Sequence, residues 1–299
     1  MQKKIYFRFL FLNYFFLCIF VAAMEYTLNC NGRLLDLCEP QVMGILNVTP
    51  DSFYAGSRQQ TKQAVAERAA QIVGEGGSII DIGACSTRPG SQPATEQEEM
   101  ERLRMALRVV RLTVPDAILS VDTFRPDVAR MAVEEFGVDM VNDVGLSAAD
   151  GGQRPVDMFR MVSRLRVPYI YMSRRATVKA VLIDCAEAVD MLRSMGQKDI
   201  VVDPGFGFGK TMDENFAILN GLERMQMLSL PVLVGVSRKR MVWQTLGCSP
   251  DEALNGTTVL NTMALQRGAS ILRVHDVRQA AECIRLVQML NRRQEAETL

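Results

Sequence analysis

The sequence predicts an α/β protein folded as a single (β/α)8 TIM barrel with a short N-terminal hairpin, and three observations carry that prediction. From residue 41 onward, eight apolar runs alternate with eight helical stretches at spacings that suit βα units. Nearly every apolar run ends in a polar residue, as it must where strand ends converge on one working face. The length of 299 residues leaves room for one barrel of about 250 residues without a second domain.

The runs are VMGILNV (42–48), SIIDIG (78–83), AILSVD (117–122), DMVNDV (139–144), PYIYM (168–172), IVVD (200–203), PVLVGV (231–236) and ILRVH (271–275). Ile200, Val201 and Val202 are β-branched and continuous rather than alternating, the pattern of a strand buried on both faces. The helical stretches cover 61–75, 96–110, 126–136, 156–165, 178–195, 213–227, 255–267 and 278–291. Thr95 before Glu96 and Asp213 before Glu214 read as helix caps. Upstream, residues 28–37 predict a hairpin turning at Asn31-Gly32 and closing the barrel floor.

Residues 1–23 stand apart: Lys3, Lys4 and Arg8 precede an apolar stretch ending in small residues. Two readings fit, a signal-like segment and an upstream extension before a working start at Met24. We take the second, because the rest reads as a cytoplasmic enzyme, and assign 24–299 to the barrel. The apolar stretch is short for a membrane span, and the barrel itself calls for no membrane.

Composition narrows the function classes. Lys plus Arg and Asp plus Glu both number 34, so no basic excess draws a nucleic acid or an anionic membrane, and any anion must be met locally. Seven cysteines, odd in number and never spaced C-x-x-C, signal neither a zinc site nor a disulfide framework. His275 is the one histidine, which excludes multi-histidine metal centres.

The polar strand ends are Asn47, Asp81, Asp122, Asn142 with Asp143, Asp203, the Ser237-Arg238-Lys239 run, and Arg273 with His275. Each alone could be a helix cap or turn former, and Asp143 is read that way. Together they combine carboxylates and amides with cations, which asks for a substrate with two ends. A planar heterocycle with an amino-amidine edge would give two parallel N–H bonds to a carboxylate, and an anion such as diphosphate would take Arg, His and hydroxyl donors. The glycine-rich turn of IVVDPGFGFGKT (200–211) suggests a phosphate cradle, but the first glycine of a P-loop would fall on Pro204, and a plain tight turn remains open. NVTPDSFYAGSRQ after the first strand and STRPGSQPATE after the second are long for βα connections and read as lids.

NVTPDSF, STRPG, SVDT, ND, DPGFGFGKT, VGVSRK and RVHDV occur in the order found in dihydropteroate synthases, and the resemblance covers residues 41–290. It implies a (β/α)8 barrel, usually a homodimer, that joins dihydropterin diphosphate to p-aminobenzoate and releases diphosphate with Mg2+. By motif, it implies that Asp122, Asn142, Asp203 and Lys239 hold the pterin with Arg273 stacked on it. Asn47, Thr87, Arg273 and His275 then meet the diphosphate, Asn47 through the metal. Thr87, Arg88, Pro89, Phe208 and Lys239 border the p-aminobenzoate site. The implied mechanism is dissociative, with Asp122, Asp203, Lys239 and Arg273 carrying the catalytic electrostatics.

The chain departs from the family at three places. Gly83, Ala84 and Cys85 stand where Gly-Gly-Glu is common, Arg240 replaces a serine after SRK, and Ser173-Arg174-Arg175 replaces a Met-His pattern. Arg240 is expected to tune affinity for the aryl carboxylate. Cys85 is read as a tolerated small residue rather than a nucleophile. Two rivals remain: a methyltetrahydrofolate-dependent methyltransferase barrel, against which NVTPDSF, SRK and RVHD count, and a non-catalytic pterin-binding barrel.

Overall fold

The computed structural model describes residues 26–49, 58–85, 94–145 and 155–298. β1 (Thr27–Cys30) and β2 (Arg33–Asp36) form the antiparallel hairpin. It turns at Asn31 and Gly32, both at positive φ, the conformation an Asn-Gly turn supplies at least cost. The barrel follows as β3 (Gln41–Asn47), α1 (Arg58–Gly74), β4 (Ile79–Gly83), α2 (Glu96–Thr113), β5 (Ile118–Asp122), α3 (Pro126–Phe136), β6 (Met140–Asp143), α4 (Val156–Leu165), β7 (Tyr169–Met172) and α5 (Val178–Ser194). It is completed by β8 (Ile200–Asp203), α6 (Met212–Asn220), β9 (Leu233–Val234), α7 (Arg240–Leu246), α8 (Leu254–Gln266), β10 (Ile271–Val274) and α9 (Val277–Thr298).

The eight barrel strands are parallel in the order β8-β7-β6-β5-β4-β3-β10-β9, and a parallel bridge from Val202 to Val232 brings the two edges together. The predicted strands and helices are thus present; α7 is an additional helix that the sequence did not announce, and three further differences stand out. The run at 231–236 yields only a two-residue β9. The helix expected over 213–227 breaks at Gly221 and continues as a 3-10 turn over Leu222–Leu228, since glycine is a poor helix residue. Its cap is Thr211, not Asp213: the Thr211 hydroxyl accepts from Glu214 N, and the Glu214 carboxylate accepts from Thr211 N at 2.7 Å.

Strand parity sorts the core. Outward residues such as Leu46, Ile80, Ile82, Val121, Val141, Val202 and Leu272 pack beneath the helices. Inward residues at the strand starts, Met43, Ile79, Met140, Ile170, Val201, Leu233 and Ile271, meet Leu28, Cys30, Leu35 and Leu37 of the hairpin. The hairpin therefore plugs the barrel floor, as expected. An ionic clasp reinforces it: Asp139, 1% exposed, accepts from Arg33 of β2 and from Arg111 of α2, each at 3.0 Å. Among the described residues no helix is long and apolar enough to cross a membrane. The segment 1–23 lies outside the described residues.

Candidate active site

Two residues above that apolar floor, the same inward parity turns polar. It places Asn47 on β3, Asp81 on β4, Ser120 and Asp122 on β5, Asn142 on β6, Asp203 on β8 and Arg273 on β10 around the upper lumen. Asp143, the next residue on β6, faces outward. It is buried, accepts from Tyr169 OH at 2.7 Å and from Gly145 N at 2.8 Å, and so has the structural role read for it.

Arg273 is the hub. Its Nε donates to Asp81 Oδ2 and its Nη2 to Asp122 Oδ2, each at 2.7 Å. Burial alone would lower the guanidinium's pKa; the two carboxylates outweigh it and hold it above its ordinary value. These bonds use in-plane donors and leave a planar face for stacking. Burial pushes the Asp122 carboxyl up to about 7 against the opposing pull of Arg273. Asn142 donates from Nδ2 to Asp81 Oδ2 at 3.0 Å. Asp81 Oδ1 and the Ser120 hydroxyl, whose residues pair in register, are buried without a hydrogen-bond partner.

Across the lumen, Asp203 Oδ1 accepts from Gly205 N at 2.7 Å. Burial raises its carboxyl, and Lys239 works in the opposite direction. Burial lowers the Lys239 ammonium to about 8. Lys239 donates to the Phe206 carbonyl and lies 4.7 Å from the centroid of the Phe208 ring. Two glycines of the 200–211 turn allow this closeness. Gly207, at φ +81°, has the Lys239 side chain 3.0 Å from where a Cβ would lie, and at Gly205, φ +72°, a Cβ would fall 2.2 Å from Ser173 O. Lys210 braces the turn through Gly205 O at 2.7 Å and Ser173 O at 3.3 Å, so its ammonium is committed to backbone carbonyls.

The SRK and RVHD motifs interlock. Ser237 Oγ accepts the His275 backbone N–H at 3.2 Å and lies 3.0 Å from His275 Nδ1. The direction of the Ser237 Oγ–His275 Nδ1 bond depends on the imidazole tautomer. Burial and the neighbouring Arg273 lower the imidazole to about 4, so it is neutral at physiological pH. Arg238, at φ +52°, grips Asp276 through Nε at 2.9 Å and Nη2 at 2.8 Å. Lys239 caps α7, and Arg240 is exposed on its first turn, 3.4 Å from Gln244 Oε1.

Gly83 leaves an oxygen-lined notch: a Cβ there would lie 3.4 Å from Asn47 Oδ1 and 3.5 Å from Asp122 Oδ2. Asp122 Oδ2 is already engaged by Arg273, and among the described residues no cluster of three or more metal-ligating side chains converges, so a cation here would take most of its ligands from a phosphate and from water. Burial raises the Cys85 thiol, followed by the nearby Glu99, which disfavours a thiolate nucleophile. Thr87, Arg88 and Pro89 lie outside the described residues. The residues given no role from sequence are Asp81, Ser237 and the Arg238–Asp276 pair. The inward parity of Asp81, two positions below the strand end, was the signal that could have found it.

The barrel gathers Asp122, Asp203, Asn142, Lys239, Arg273 and His275 at one mouth, and the family comparison places it in the class of pterin-binding enzymes. Residues 43–275 match the family model for pterin binding enzyme. The dihydropteroate synthase of Bacillus subtilis is 36% identical over 84% of this chain and 89% of its own length, and that of Escherichia coli is 34% identical over 87% and 95%. The solved Xanthomonas albilineans dihydropteroate synthase with 4-aminobenzoic acid superposes with a TM-score of 0.81 at 35% identity, covering 89% of this chain and 98% of that one. The same enzyme in complex with 7,8-dihydropteroate gives 0.79 at 34%, over 89% and 99%. The chain belongs to the dihydropteroate synthase family of pterin-binding enzymes.

Proposed function

We propose that this chain condenses 6-hydroxymethyl-7,8-dihydropterin diphosphate with p-aminobenzoate, giving 7,8-dihydropteroate and diphosphate in folate biosynthesis. The observation that carries the reading is the alternation of charge around the lumen, with Lys239 between Asp203 and the Phe208 ring and Arg273 between Asp81 and Asp122. Asp203 takes the amino-amidine edge of the pterin, Asn142, Asp122 and Lys239 its remaining polar atoms, and Arg273 stacks on the ring. The diphosphate lies over Asn47, Thr87, Arg273 and His275. The aryl acid lies against Thr87, Arg88, Pro89, Phe208 and Lys239, with Arg240 near its carboxylate.

In the reaction the methylene C–O bond breaks with its electron pair going to the diphosphate. Arg273 and His275 stabilise that developing anion, while Asp122 and Asp203 favour the cation left on the pterin methylene. The p-aminobenzoate nitrogen attacks this carbon, forms the C–N bond and releases its proton to solvent. Asn47 would hold a Mg2+, which would supply charge neutralisation to the diphosphate when bound. No protein nucleophile is needed.

The domain unit is 24–299, supported by the packing of the hairpin into the barrel floor. A homodimer is supported by exposed apolar side chains on neighbouring helices: Leu246 on α7, Val259 and Met263 on α8, and Leu286, Met289 and Leu290 on α9. The six described cysteines form no disulfide with one another, which suits the cytoplasm. The test is diphosphate release from the dihydropterin substrate with and without p-aminobenzoate. Release that depends on p-aminobenzoate and is matched by dihydropteroate supports the reading. Binding of the pterin without p-aminobenzoate-dependent product would sink it in favour of a non-catalytic barrel.

A further inference from the structure

We propose that Arg68, on α1, is a positioning residue for the diphosphate: its guanidinium fork ties the end of β3 to the end of β10 and so fixes Asn47 and His275 against each other. The inference rests on the placement of the diphosphate proposed above and adds to it a residue from outside the lumen.

Arg68 interrupts an apolar face. Val65, Ala69 and Ile72 are fully buried, and their spacing of three and four residues from position 68 puts the arginine on the same side of α1, the side that lies on the sheet. A cation there must find acceptors in the protein. Burial lowers its pKa, with Glu75 and Asp276 pulling the other way. Its Nη2 donates to His275 O at 2.6 Å, its Nε to Ile45 O at 3.3 Å and its Nη1 to Gln71 Oε1 at 2.9 Å. Nε and Nη2 share one edge of the planar group, so a single fork spans two strands.

The sheet accounts for the acceptor on β3. Gln41 N donates to Ser270 O and Ser78 N to Val42 O, each at 2.9 Å, so odd-numbered residues of β3 face β10 and even-numbered ones face β4. The β3–β10 register ends at Gly44 with Val274. Ile45 therefore turns its carbonyl toward a strand that has just stopped, and Arg68 supplies the donor that β10 no longer gives.

Both ends of the tie are anchored. A Cβ at Gly44 would lie 2.5 Å from Ile72 Cγ2, so α1 presses on β3 one turn from Arg68. Ser237 Oγ takes the His275 backbone N–H at 3.2 Å while Arg68 takes the His275 carbonyl. Asn47 stands two residues beyond Ile45 on the same face of β3. Arg273 pairs with Met43 inside the ladder, and Asp122 and Asp203 stand on β5 and β8, so loss of the fork frees the two diphosphate-binding strand ends and leaves the pterin-binding side chains in place.

The experiment is anaerobic titration calorimetry on the full chain, with Mg2+ in the buffer and no aryl acid, using 6-hydroxymethyl-7,8-dihydropterin and its diphosphate. The ratio of the two affinities reads what the diphosphate adds. In Arg68→Met the ratio should fall about tenfold, with the affinity for the diphosphate-free pterin held within about twofold. Arg68→Lys keeps the charge but offers a point donor in place of a fork, so its ratio should fall about threefold or more, and it carries the test should Arg68→Met not fold. A ratio unchanged in either variant overturns the proposal: where both affinities fall together the arginine is merely structural, and where the loss is confined to Arg68→Met its charge acts rather than its fork. If the diphosphate adds nothing in the unaltered protein, the proposal falls with that placement of the anion. If neither ligand binds the unaltered protein, the pterin reading itself fails.

Discussion

Arg238→Ala isolates the contribution of the brace between the two motif-bearing strand ends. Arg238 contacts no ligand in the site described above. It grips Asp276 by two bonds of 2.8 and 2.9 Å, and it also donates from Nη1 to Asp251 O at 2.8 Å and Pro250 O at 3.1 Å. Alanine keeps the positive φ of this position, so the comparison removes the fork and not the backbone strain. Two charge-assisted bonds would be worth about 1.5–3 kcal/mol each if buried. The pair is 24% and 17% exposed, so solvent screening reduces that sum to about 2–3 kcal/mol. For a domain of this size the change corresponds to a fall in Tm of roughly 4–10 °C by calorimetry. A cycle with Asp276→Ala should return a coupling of about 1–2 kcal/mol. Ser237 and Lys239 flank the lost brace, so kcat/KM should fall as well. A Tm within about 1 °C of the unaltered protein, with kcat/KM unchanged, would refute the claim that the two motifs act as one clamp.

Three further outcomes follow from the geometry. Asp203→Asn should weaken pterin binding by about 1.5–3 kcal/mol in calorimetry and leave diphosphate binding nearly untouched, because an amide cannot accept both N–H bonds of an amidine edge; equal losses would return the 200–211 turn to an anion-binding role. His275, the one imidazole in the protein, should titrate by NMR near 4 rather than 6.5. Its folded pKa is depressed, so its contribution to stability is complete above about pH 6.5 and is lost as pH falls toward 4, up to about 3 kcal/mol; a midpoint near 6.5 would contradict the buried, neutral imidazole. Gly205→Ala, with a Cβ forced to 2.2 Å from Ser173 O, should cost more than about 3 kcal/mol, whereas Gly209→Ala, at φ +67° with open space around it, should cost only about 1 kcal/mol; equal melting temperatures for the two would remove steric closeness as the reason for glycine at 205.

The barrel was legible because eight apolar runs and their polar ends are local signals. Each needs only a few consecutive residues to declare itself. The limits of β9 were less so, since Val236 and Ser237 already belong to the loop that meets β10. Thr211 was passed over for Asp213 although the Thr-x-x-Glu spacing of a capping box lies in plain view. Pairings were not legible at all. Ser237 and Arg238 reach their partners 38 residues away, and Asp81 reaches Arg273 across 192. Motif order names such residues but does not say which of them touch. Asp81 shows the same limit within a single strand, because it ends up below the rim and supports Arg273 from beneath. At the turn over 200–211, Gly207 and Gly205 allow the close passage of Lys239 and Ser173, a role that the sequence alone did not disclose.

The hairpin plug has a consequence for traffic. Leu28 and Cys30 are fully buried against the inward strand starts, so the lumen is a tube with one open end. In such a tube arrivals queue. On the proposed placement, the ring over Arg273 would sit deepest and would have to enter before the aryl acid closes the way above it, and the fused product would have to leave by the entrance it came through. Steady-state kinetics should accordingly report an ordered sequence, with the pterin first in, and the reason would lie at the far end of the barrel from the chemistry.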